Sequence, residues 1–259
     1  ASNKNFKTYF YISPQIWAWK ENRIKSIKKY INQMYVILPF EKDFYKKHNY
    51  RVQYYGHPLV NIIDESIKYQ SKKKYQKPTI AILPGSRKQE INLILNKILD
   101  VANEFREYEF IIAGLNHINK ETYYKIIENK KLNVKVVFNK TYEVLKDAEA
   151  AIVTSGTATL ETALIGTPQI VCYVTNPFNI YLARLFVKVN FISLVNLILN
   201  KETVKELIQS KVNSQNIKTE LQLILSKKEK TIKKDYKNLR ELLKGKDIES
   251  KIVNHINNN

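Results

Sequence analysis

Short apolar runs rich in β-branched residues alternate along this chain with longer segments of helical periodicity. The runs predict strands at residues 8–13, 33–39, 51–56, 79–84, 109–114, 134–138, 150–155 and 168–174. The remaining periodic segments predict helices at residues 20–31, 91–105, 120–130, 141–148, 157–166 and 201–209. Strands that alternate with helices form parallel sheets, because each helical crossover returns the chain to the same edge. We therefore expect an α/β fold with a mainly parallel sheet.

A polar, lysine-rich stretch at residues 63–78 interrupts this alternation and predicts a domain boundary. Residues 1–70 supply few strands and are expected to be the remnant of one Rossmann-like domain. Residues 71–225 supply a complete alternation of strands and helices, which predicts a second Rossmann-like domain with a parallel sheet. Residues 226–259 predict charged C-terminal helices, and we expect these helices to dock on the first domain.

The formal net charge is +19, from 43 basic and 24 acidic residues, and it raises the alternative of a basic nucleic-acid-binding module. We do not expect a nucleic-acid partner, because the lysines are scattered along the chain and lysine reads bases less well than arginine. The single cysteine, Cys172, excludes an internal disulfide and fits a reducing compartment. Because the sequence shows neither an apolar run of transmembrane length nor a signal-peptide pattern, we expect a cytoplasmic protein.

The stretch LPGSRKQE at residues 83–90 predicts an anion-binding turn between a strand and a helix. Gly85 lets the backbone turn and approach a ligand, and Ser86 with Gln89 has the form of a capping box. Unpaired N–H groups at the helix start attract an anion, and Arg87 adds a fixed positive charge. A diphosphate suits this arrangement, and an ordinary turn with a surface arginine is the alternative.

A second turn of this kind follows the predicted strand that ends at Ser155, and Gly156 and Thr157 lead into the next helix. Glu161 lies four residues after Thr157 and therefore on the same helix face, one turn behind the amides. A carboxylate in this position can accept both hydroxyls of a ribose, and a surface salt bridge is the alternative. Because both turns follow strands of one parallel sheet, they predict a nucleoside diphosphate site at its carboxyl edge.

Several longer motifs resemble those of the lipid-A-disaccharide synthase family, in the same order and at natural spacing. They are ISPQIWAW (12–19), ILPFEKDFY (37–45), YYGHPLVN (54–61), LPGSRKQEI (83–91), TSGTATLETALIGTPQIV (154–171) and SLVNLILNKETVKELIQ (193–209). The resemblance implies a hexosyltransferase of GT-B architecture, in which two Rossmann-like domains face each other across a cleft. It implies that UDP-2,3-diacylglucosamine is joined to 2,3-diacylglucosamine 1-phosphate, with inversion at the anomeric carbon and release of UDP.

Residue by residue, the resemblance implies contacts with the UDP phosphates for Gly85, Ser86, Arg87, Ser155, Gly156 and Thr157. It implies a ribose contact for Glu161 and places Asn196 in the site region. We assign His57 to the same region as a candidate for proton transfer, and a structural or domain-interface role is the alternative. Residues 1–70 then belong to the acceptor side and residues 71–225 to the UDP-sugar donor side. Neither a metal nor a cofactor is implied, and the sequence agrees, since it shows no Asp-x-Asp pair placed for a metal and no His or Cys cluster of ligand spacing.

The N-terminal part of the family, which carries the acidic residue expected to act as general base, has no counterpart in this sequence. We therefore name no catalytic base and expect the chain to hold the donor half of the site, with inactivity of the chain alone left open. An amphipathic stretch at residues 176–191 predicts peripheral contact with the inner membrane of a Gram-negative-type bacterium, and a buried helix is the alternative. A homodimer that exchanges C-terminal helices is a further hypothesis.

Two other enzymes of the same architecture remain alternatives. They are a UDP-N-acetylglucosamine 2-epimerase and the peptidoglycan-forming N-acetylglucosaminyltransferase. Both share the phosphate turn and the ribose carboxylate, but we do not expect the motifs at residues 12–19 and 37–45 in either of them.

Overall fold

The computed structural model describes residues 6–68, 75, 77–130, 132, 134–175 and 190–258. The strands are β1 (Tyr9–Tyr11), β2 (Gln33–Val36), β3 (Gln53–Tyr54), β4 (Thr79–Leu83), β5 (Glu109–Gly114), β6 (Lys135–Phe138), β7 (Ala150–Thr154), β8 (Gln169–Tyr173) and β9 (Lys205–Ile208). The helices are α1 (Ile24–Tyr30), α2 (Glu41–Lys47), α3 (Leu59–Lys68), α4 (Lys88–Ala102), α5 (Glu121–Lys130), α6 (Thr141–Asp147), α7 (Thr157–Ile165), α8 (Leu194–Leu199), α9 (Ser214–Leu223), α10 (Glu229–Leu243) and α11 (Ile248–Asn257).

The alternation read from the sequence is confirmed for every predicted strand and for all predicted helices but one. Residues 201–209 were expected to form a helix, and this prediction is wrong because they contain β9. Local propensity favours a helix here, since Lys, Glu and Leu are strong helix formers. The open edge of β8 overrides that preference: β9 pairs with it in parallel, with Ile170 opposite Lys205 and Tyr173 opposite Ile208.

The described residues form two compact units. One comprises those within Ala1–Ile62, Phe178–Asn190 and Leu239–Asn259, and the other comprises those within Ile63–Pro177 and Phe191–Asn238. We call them the small and the large unit. The prediction that they serve as acceptor and donor sides stays a prediction.

The large unit contains a parallel sheet in the order β6-β5-β4-β7-β8-β9. Counted within this sheet, the strands run 3-2-1-4-5-6, which is the order of a doubly wound dinucleotide-binding fold. The direction of winding reverses between β4 and β7, which pair in parallel along their length. Crossover helices leave the two strands toward opposite faces, so a crevice opens beyond their carboxyl ends.

The central strands of the large unit are buried along their whole length. Every residue of β4 and β7 is buried. Leu83 and Val153 pack on one face of the sheet against Val144 and Leu145 of α6. Full burial of one such side chain stabilises the fold by about 1.5–3 kcal/mol. Packing therefore fixes the position of the last residues of β4 and β7, from which the following loops begin.

The small unit contains a parallel sheet in the order β1-β2-β3. On one face of β2, Met34 and Val36 pack with Ile24 and Ile27 of α1. On the other face, Tyr35 packs with residues of α11, and its hydroxyl lies 2.9 Å from Nδ1 of His255. The three-stranded sheet is therefore covered by helices from both ends of the chain.

The segment that links α10 to α11 passes very close to the turn after β3. The N–H of His57 donates to the carbonyl of Leu243 at 2.8 Å, and Gly56 has a left-handed φ of +122°. A Cβ on Gly245 would lie 2.0 Å from the carbonyl oxygen of Tyr55, a backbone atom that cannot move aside. Glycine at residue 245 therefore allows this contact.

Replacement of Gly245 by alanine is expected to lower the free energy of unfolding of the small unit by about 3 kcal/mol, because the backbones must separate. Both tryptophans, Trp17 and Trp19, lie in this unit, so urea unfolding followed by tryptophan fluorescence reports on it. Lys246→Ala, at the exposed neighbouring position, is the control and should leave the midpoint unchanged. An unchanged midpoint in Gly245→Ala would contradict the close approach.

Candidate functional site

The turn after β4 carries the first predicted phosphate motif. Gly85 adopts a left-handed φ of +111°, and α4 begins at Lys88. The predicted capping box of Ser86 and Gln89 is wrong, because Arg87 is the N-cap residue and makes no side-chain cap. The left-handed glycine and the extended Arg87 delay the helix start. Glu90 then becomes the residue that reaches back to the turn.

Glu90 holds this turn through both carboxylate oxygens. Its Oε2 accepts a hydrogen bond from the backbone N–H of Ser86 at 3.2 Å, and its Oε1 accepts one from Nη1 of Arg87 at 2.9 Å. The arginine side chain is 79% exposed and the glutamate side chain 23%. His117 also contacts the turn, since its Nε2–H donates to the carbonyl oxygen of Ser86 at 3.0 Å.

The turn after β7 carries the second predicted phosphate motif. Gly156 is the N-cap residue of α7 and provides no side-chain cap, and Ser155 and Thr157 flank it. The first N–H groups of a helix have no intrahelical acceptor and form its positive end. As predicted, α7 ends at Gly166, which has a left-handed φ of +100°. The start of α7 therefore offers amide donors at the carboxyl end of β7.

Both turns line one cavity of about 400 Å³ in the large unit. The cavity is lined by Leu83, Pro84, Gly85, Ser86, Arg87, Glu90, Ala113, Leu115, Thr141, Thr154, Ser155, Gly156, Thr157, Ala158 and Glu161. All six residues predicted to contact phosphates and the residue predicted to contact ribose are in this set. The pairing of β4 with β7 brings the two turns together at the place where the sheet order reverses.

Tyr142 fixes the side chain of Glu161. The tyrosine lies in the first turn of α6, and its hydroxyl donates to Oε1 of Glu161 at 2.7 Å. Burial and the hydrogen bond to Glu161 raise the pKa of Tyr142, so the phenol stays protonated and remains a donor. The carboxylate of Glu161 is therefore held at the cavity wall.

Asn196, predicted to lie in the site region, is fully buried in a hydrogen-bond network and is outside the set that lines the cavity. Its Nδ2 donates to the carbonyl of Val204 at 2.9 Å and to Oε1 of Glu206 at 2.8 Å. Its Oδ1 accepts from the N–H groups of Thr203 and Val204 at 2.8 and 3.0 Å. Asn196 thus ties α8 to β9.

Glu206 extends this network toward the cavity. Its carboxylate accepts the N–H groups of Ile192 and Ser193 at 2.9 and 3.0 Å. The carbonyl of Ile192 in turn accepts the hydroxyl of Ser155 at 3.3 Å. The network around Asn196 therefore reaches a cavity residue through one intermediate loop.

His57, the other residue predicted for the site region, lies in the small unit. It is 4% exposed, and its Nδ1 accepts the N–H of Leu59 at 3.2 Å. Burial lowers the pKa of His57 from 6.5 to about 4. The imidazole is therefore neutral at physiological pH and caps the start of α3.

Glu90, Tyr142 and His117 contact the predicted site residues but were not predicted from the sequence. Glu90 carried a local signal, since an acidic residue in the first helical turn is typical of a helix start. Tyr142 and His117 carried none. They lie 19 and 31 residues from the groups they contact, and only the folded sheet brings them there.

A family model described as lipid-A-disaccharide synthetase matches residues 1–257 of the chain. The chain belongs to this family. A lipid-A-disaccharide synthase of Syntrophus aciditrophicus is 35% identical over 257 residues, which cover 94% of this chain and 67% of the relative. A lipid-A-disaccharide synthase of Colwellia psychrerythraea is 35% identical over 225 residues, which cover 83% of this chain and 57% of the relative.

The chain thus spans between 57% and 67% of the length of these two curated members of the lipid-A-disaccharide synthetase family. Membership supports a glycosyltransferase of lipid A biosynthesis over the epimerase, the peptidoglycan transferase and the nucleic-acid-binding module. A solved UDP-GlcNAc 2-epimerase of Neisseria meningitidis, bound to UDP-GlcNAc, is similar in structure. The match has a TM-score of 0.55 and 15% sequence identity, and it covers 80% of this chain and 56% of the epimerase chain. At this identity the match confirms the GT-B-like fold class and nothing about function.

Two further findings concern the described residues of this family member. Among them, no helix is long and apolar enough to cross a membrane. Within the same ranges, no group of three or more His, Cys, Asp or Glu residues is arranged to hold a metal ion. Of the amphipathic stretch predicted to contact a membrane, residues 176–189 lie outside the described residues.

Acidification is expected to destabilise the small unit through His57. Because its folded pKa of about 4 lies below the unfolded value of 6.5, the unfolded state binds the proton first as the pH falls. Stability is therefore full above pH 6.5 and falls by up to about 3 kcal/mol as the pH drops toward 4. Urea unfolding followed by tryptophan fluorescence across this range measures the loss. His57→Asn keeps an acceptor for Leu59 and should flatten the slope, and an equal slope in both proteins would contradict the assignment.

Tyr142→Phe is expected to weaken the binding of UDP, the ligand that the two turns predict, by about fivefold. The loss corresponds to about 1 kcal/mol, because the substitution removes one hydrogen bond that orients Glu161 and leaves the ring in place. Titration calorimetry measures the affinity. Tyr124→Phe, at a position 45% exposed on α5, is the matched control and should bind as the wild type does. Equal affinity in Tyr142→Phe and the control would show that Glu161 needs no partner.

Proposed function

We propose that the chain carries the UDP-sugar donor site of a lipid-A-disaccharide synthase. The reaction transfers the diacylglucosamine of UDP-2,3-diacylglucosamine to 2,3-diacylglucosamine 1-phosphate and releases UDP. The observation that carries the proposal is the cavity at the reversal point of the large sheet, which is lined by Arg87, Glu161 and the two turns predicted to bind an anion. Family membership is the reason for proposing this sugar and this acceptor.

In this proposal the two turns hold the diphosphate. The N–H groups of Gly85 and Ser86 and the guanidinium of Arg87 face it from β4, and the amides at Gly156 and Thr157 face it from β7. Negative charge grows on the departing UDP in the transition state, so preoriented donors lower the barrier more than they stabilise the bound substrate. These groups provide electrostatic stabilisation of the leaving group without proton transfer.

Glu161 holds the ribose in the same proposal. A carboxylate offers about four acceptor sites, of which the Tyr142 hydroxyl uses one. The remaining sites can accept the two ribose hydroxyls, which fixes the nucleoside relative to the phosphates. A fixed nucleoside sets the direction in which the sugar projects from the cavity.

We assign no general base within the chain. The motifs that carry the resemblance include no counterpart of that residue, and the proposal is therefore limited to the donor half of the site. The acceptor phosphate, its acyl chains and peripheral contact with the inner membrane belong to the same proposal. A homodimer remains a hypothesis whose test is the mass of the protein in solution.

Calorimetric titration with UDP in the presence of EDTA tests the donor site. We expect saturable binding by the wild type, and affinity lower by about 10- to 100-fold in Arg87→Ala and in Glu161→Ala, since each removes a hydrogen bond to a charged group worth about 1.5–3 kcal/mol. Chelation should have no effect, because the proposal assigns the diphosphate to donors of the protein alone.

Two substitutions in the same unit serve as controls for net charge. Arg106→Ala removes a positive charge at an exposed position between α4 and β5, and Glu128→Ala removes a negative charge on the exposed side of α5. Both should leave UDP affinity within about twofold of the wild type. A folded wild-type chain that does not bind UDP, or equal losses in the controls, would refute the proposed site.

A further inference from the structure

The donors proposed to hold the diphosphate already hold an anion of the protein itself. Oε2 of Glu90 accepts the N–H of Ser86 at 3.2 Å, and Oε1 accepts Nη1 of Arg87 at 2.9 Å. These two donors are the ones that the phosphate turn would present to a nucleotide. The glutamate therefore takes the place of a ligand in the free chain.

The position of the carboxylate above the turn supports this view. A Cβ on Gly85 would lie 2.7 Å from Oε2 of Glu90, so the carboxylate covers the face of the glycine that a side chain would otherwise fill. Both Gly85 and Glu90 line the cavity. The carboxylate is therefore close to the path that a phosphate takes toward the glycine backbone.

A carboxylate and a phosphate cannot both use these donors at full strength. A backbone N–H donates one strong hydrogen bond, and two anions brought to the same guanidinium repel each other. The Glu90 side chain is 23% exposed and the Arg87 side chain 79%, so both can change rotamer without opening the core. A diphosphate has more charge and more acceptor oxygens than a carboxylate and is the stronger competitor.

We propose that Glu90 is a positioning residue that holds the phosphate turn in its binding conformation in the free chain and releases Ser86 and Arg87 to the diphosphate when UDP binds. The proposal rests on the proposed function for the identity of the ligand. It differs from a permanent helix cap, in which Glu90 would keep both contacts and assist binding. The two roles predict opposite effects when the charge of Glu90 is removed.

Glu90→Gln removes the charge and keeps the shape and one acceptor oxygen for the N–H of Ser86. We expect this variant to bind UDP about three- to fivefold more tightly than the wild type, because the nucleotide no longer displaces an ion pair. Uridine, which has no phosphate, should bind both proteins equally. Glu128→Gln is the matched control and should leave both affinities unchanged.

A double-mutant cycle locates the effect at the arginine. In the Arg87→Ala background, Glu90→Gln should give a gain of less than about twofold, because the ion pair is already absent. Tighter binding of uridine as well as UDP, or an equal gain in both backgrounds, would overturn the competition between Glu90 and the diphosphate.

The outcomes separate this inference from the proposed function. If the wild type binds UDP and Arg87→Ala weakens it, but Glu90→Gln binds equally or more weakly, the inference fails and the donor site stands. If no variant binds UDP, both fail.

A measurement on the wild-type chain does not depend on the folding of any variant. In the free protein, the backbone amide proton of Ser86 should show NOE contacts to the side chain of Glu90, because the two groups are hydrogen-bonded. Saturation with UDP should abolish these contacts. Contacts of equal strength with and without UDP would overturn the proposal.

Discussion

The parallel pairing of β4 with β7 is the interaction on which the candidate site depends. The strands run together from Ile80 opposite Ala150 to Leu83 opposite Val153, and both are buried along their whole length. They are far apart in sequence, and each ends in a turn that opens a helix. Because the ladder fixes their relative register, two turns that are each predicted to bind an anion are placed side by side. Neither turn would specify a diphosphate alone.

Hydrogen bonds of carboxylates and their partners fix the loops that follow the strands of the sheet. Three residues illustrate this, namely Glu90, Tyr142 and Glu206. Each forms hydrogen bonds that hold a backbone turn or a side chain at the edge of the cavity, at distances between 2.7 and 3.2 Å. Buried or half-buried polar groups are costly unless satisfied, so these contacts also restrict the conformations that the loops can adopt. The site is therefore ordered by the protein before any ligand arrives.

The elements that could be predicted from the sequence are those with a local sequence signal. Buried strands read as apolar runs, and Gly85 and Gly156 mark turns that their neighbours could not make. The strand β9 was misread because its residues prefer a helix and only the free edge of β8 makes a strand favourable. The contacts of Tyr142 and His117 could not be predicted for a similar reason, since their partners are distant in sequence. The sequence predicted a capping box of Ser86 and Gln89. Because α4 begins one residue later than this box requires, Glu90 and not Gln89 accepts a backbone N–H of the turn.

The small unit is built from both ends of the chain, and this arrangement sets the order in which the protein can fold during synthesis. Tyr35 of β2 meets His255 of α11 across 220 residues, and the turn at Gly56 meets Gly245. Translation adds about 5–20 residues per second, so the N-terminal sheet waits many seconds for its covering helix. The large unit is nearly contiguous and can close first. Ile248 and Ile252 of α11 can therefore cover Tyr35 only after the large unit has been synthesised.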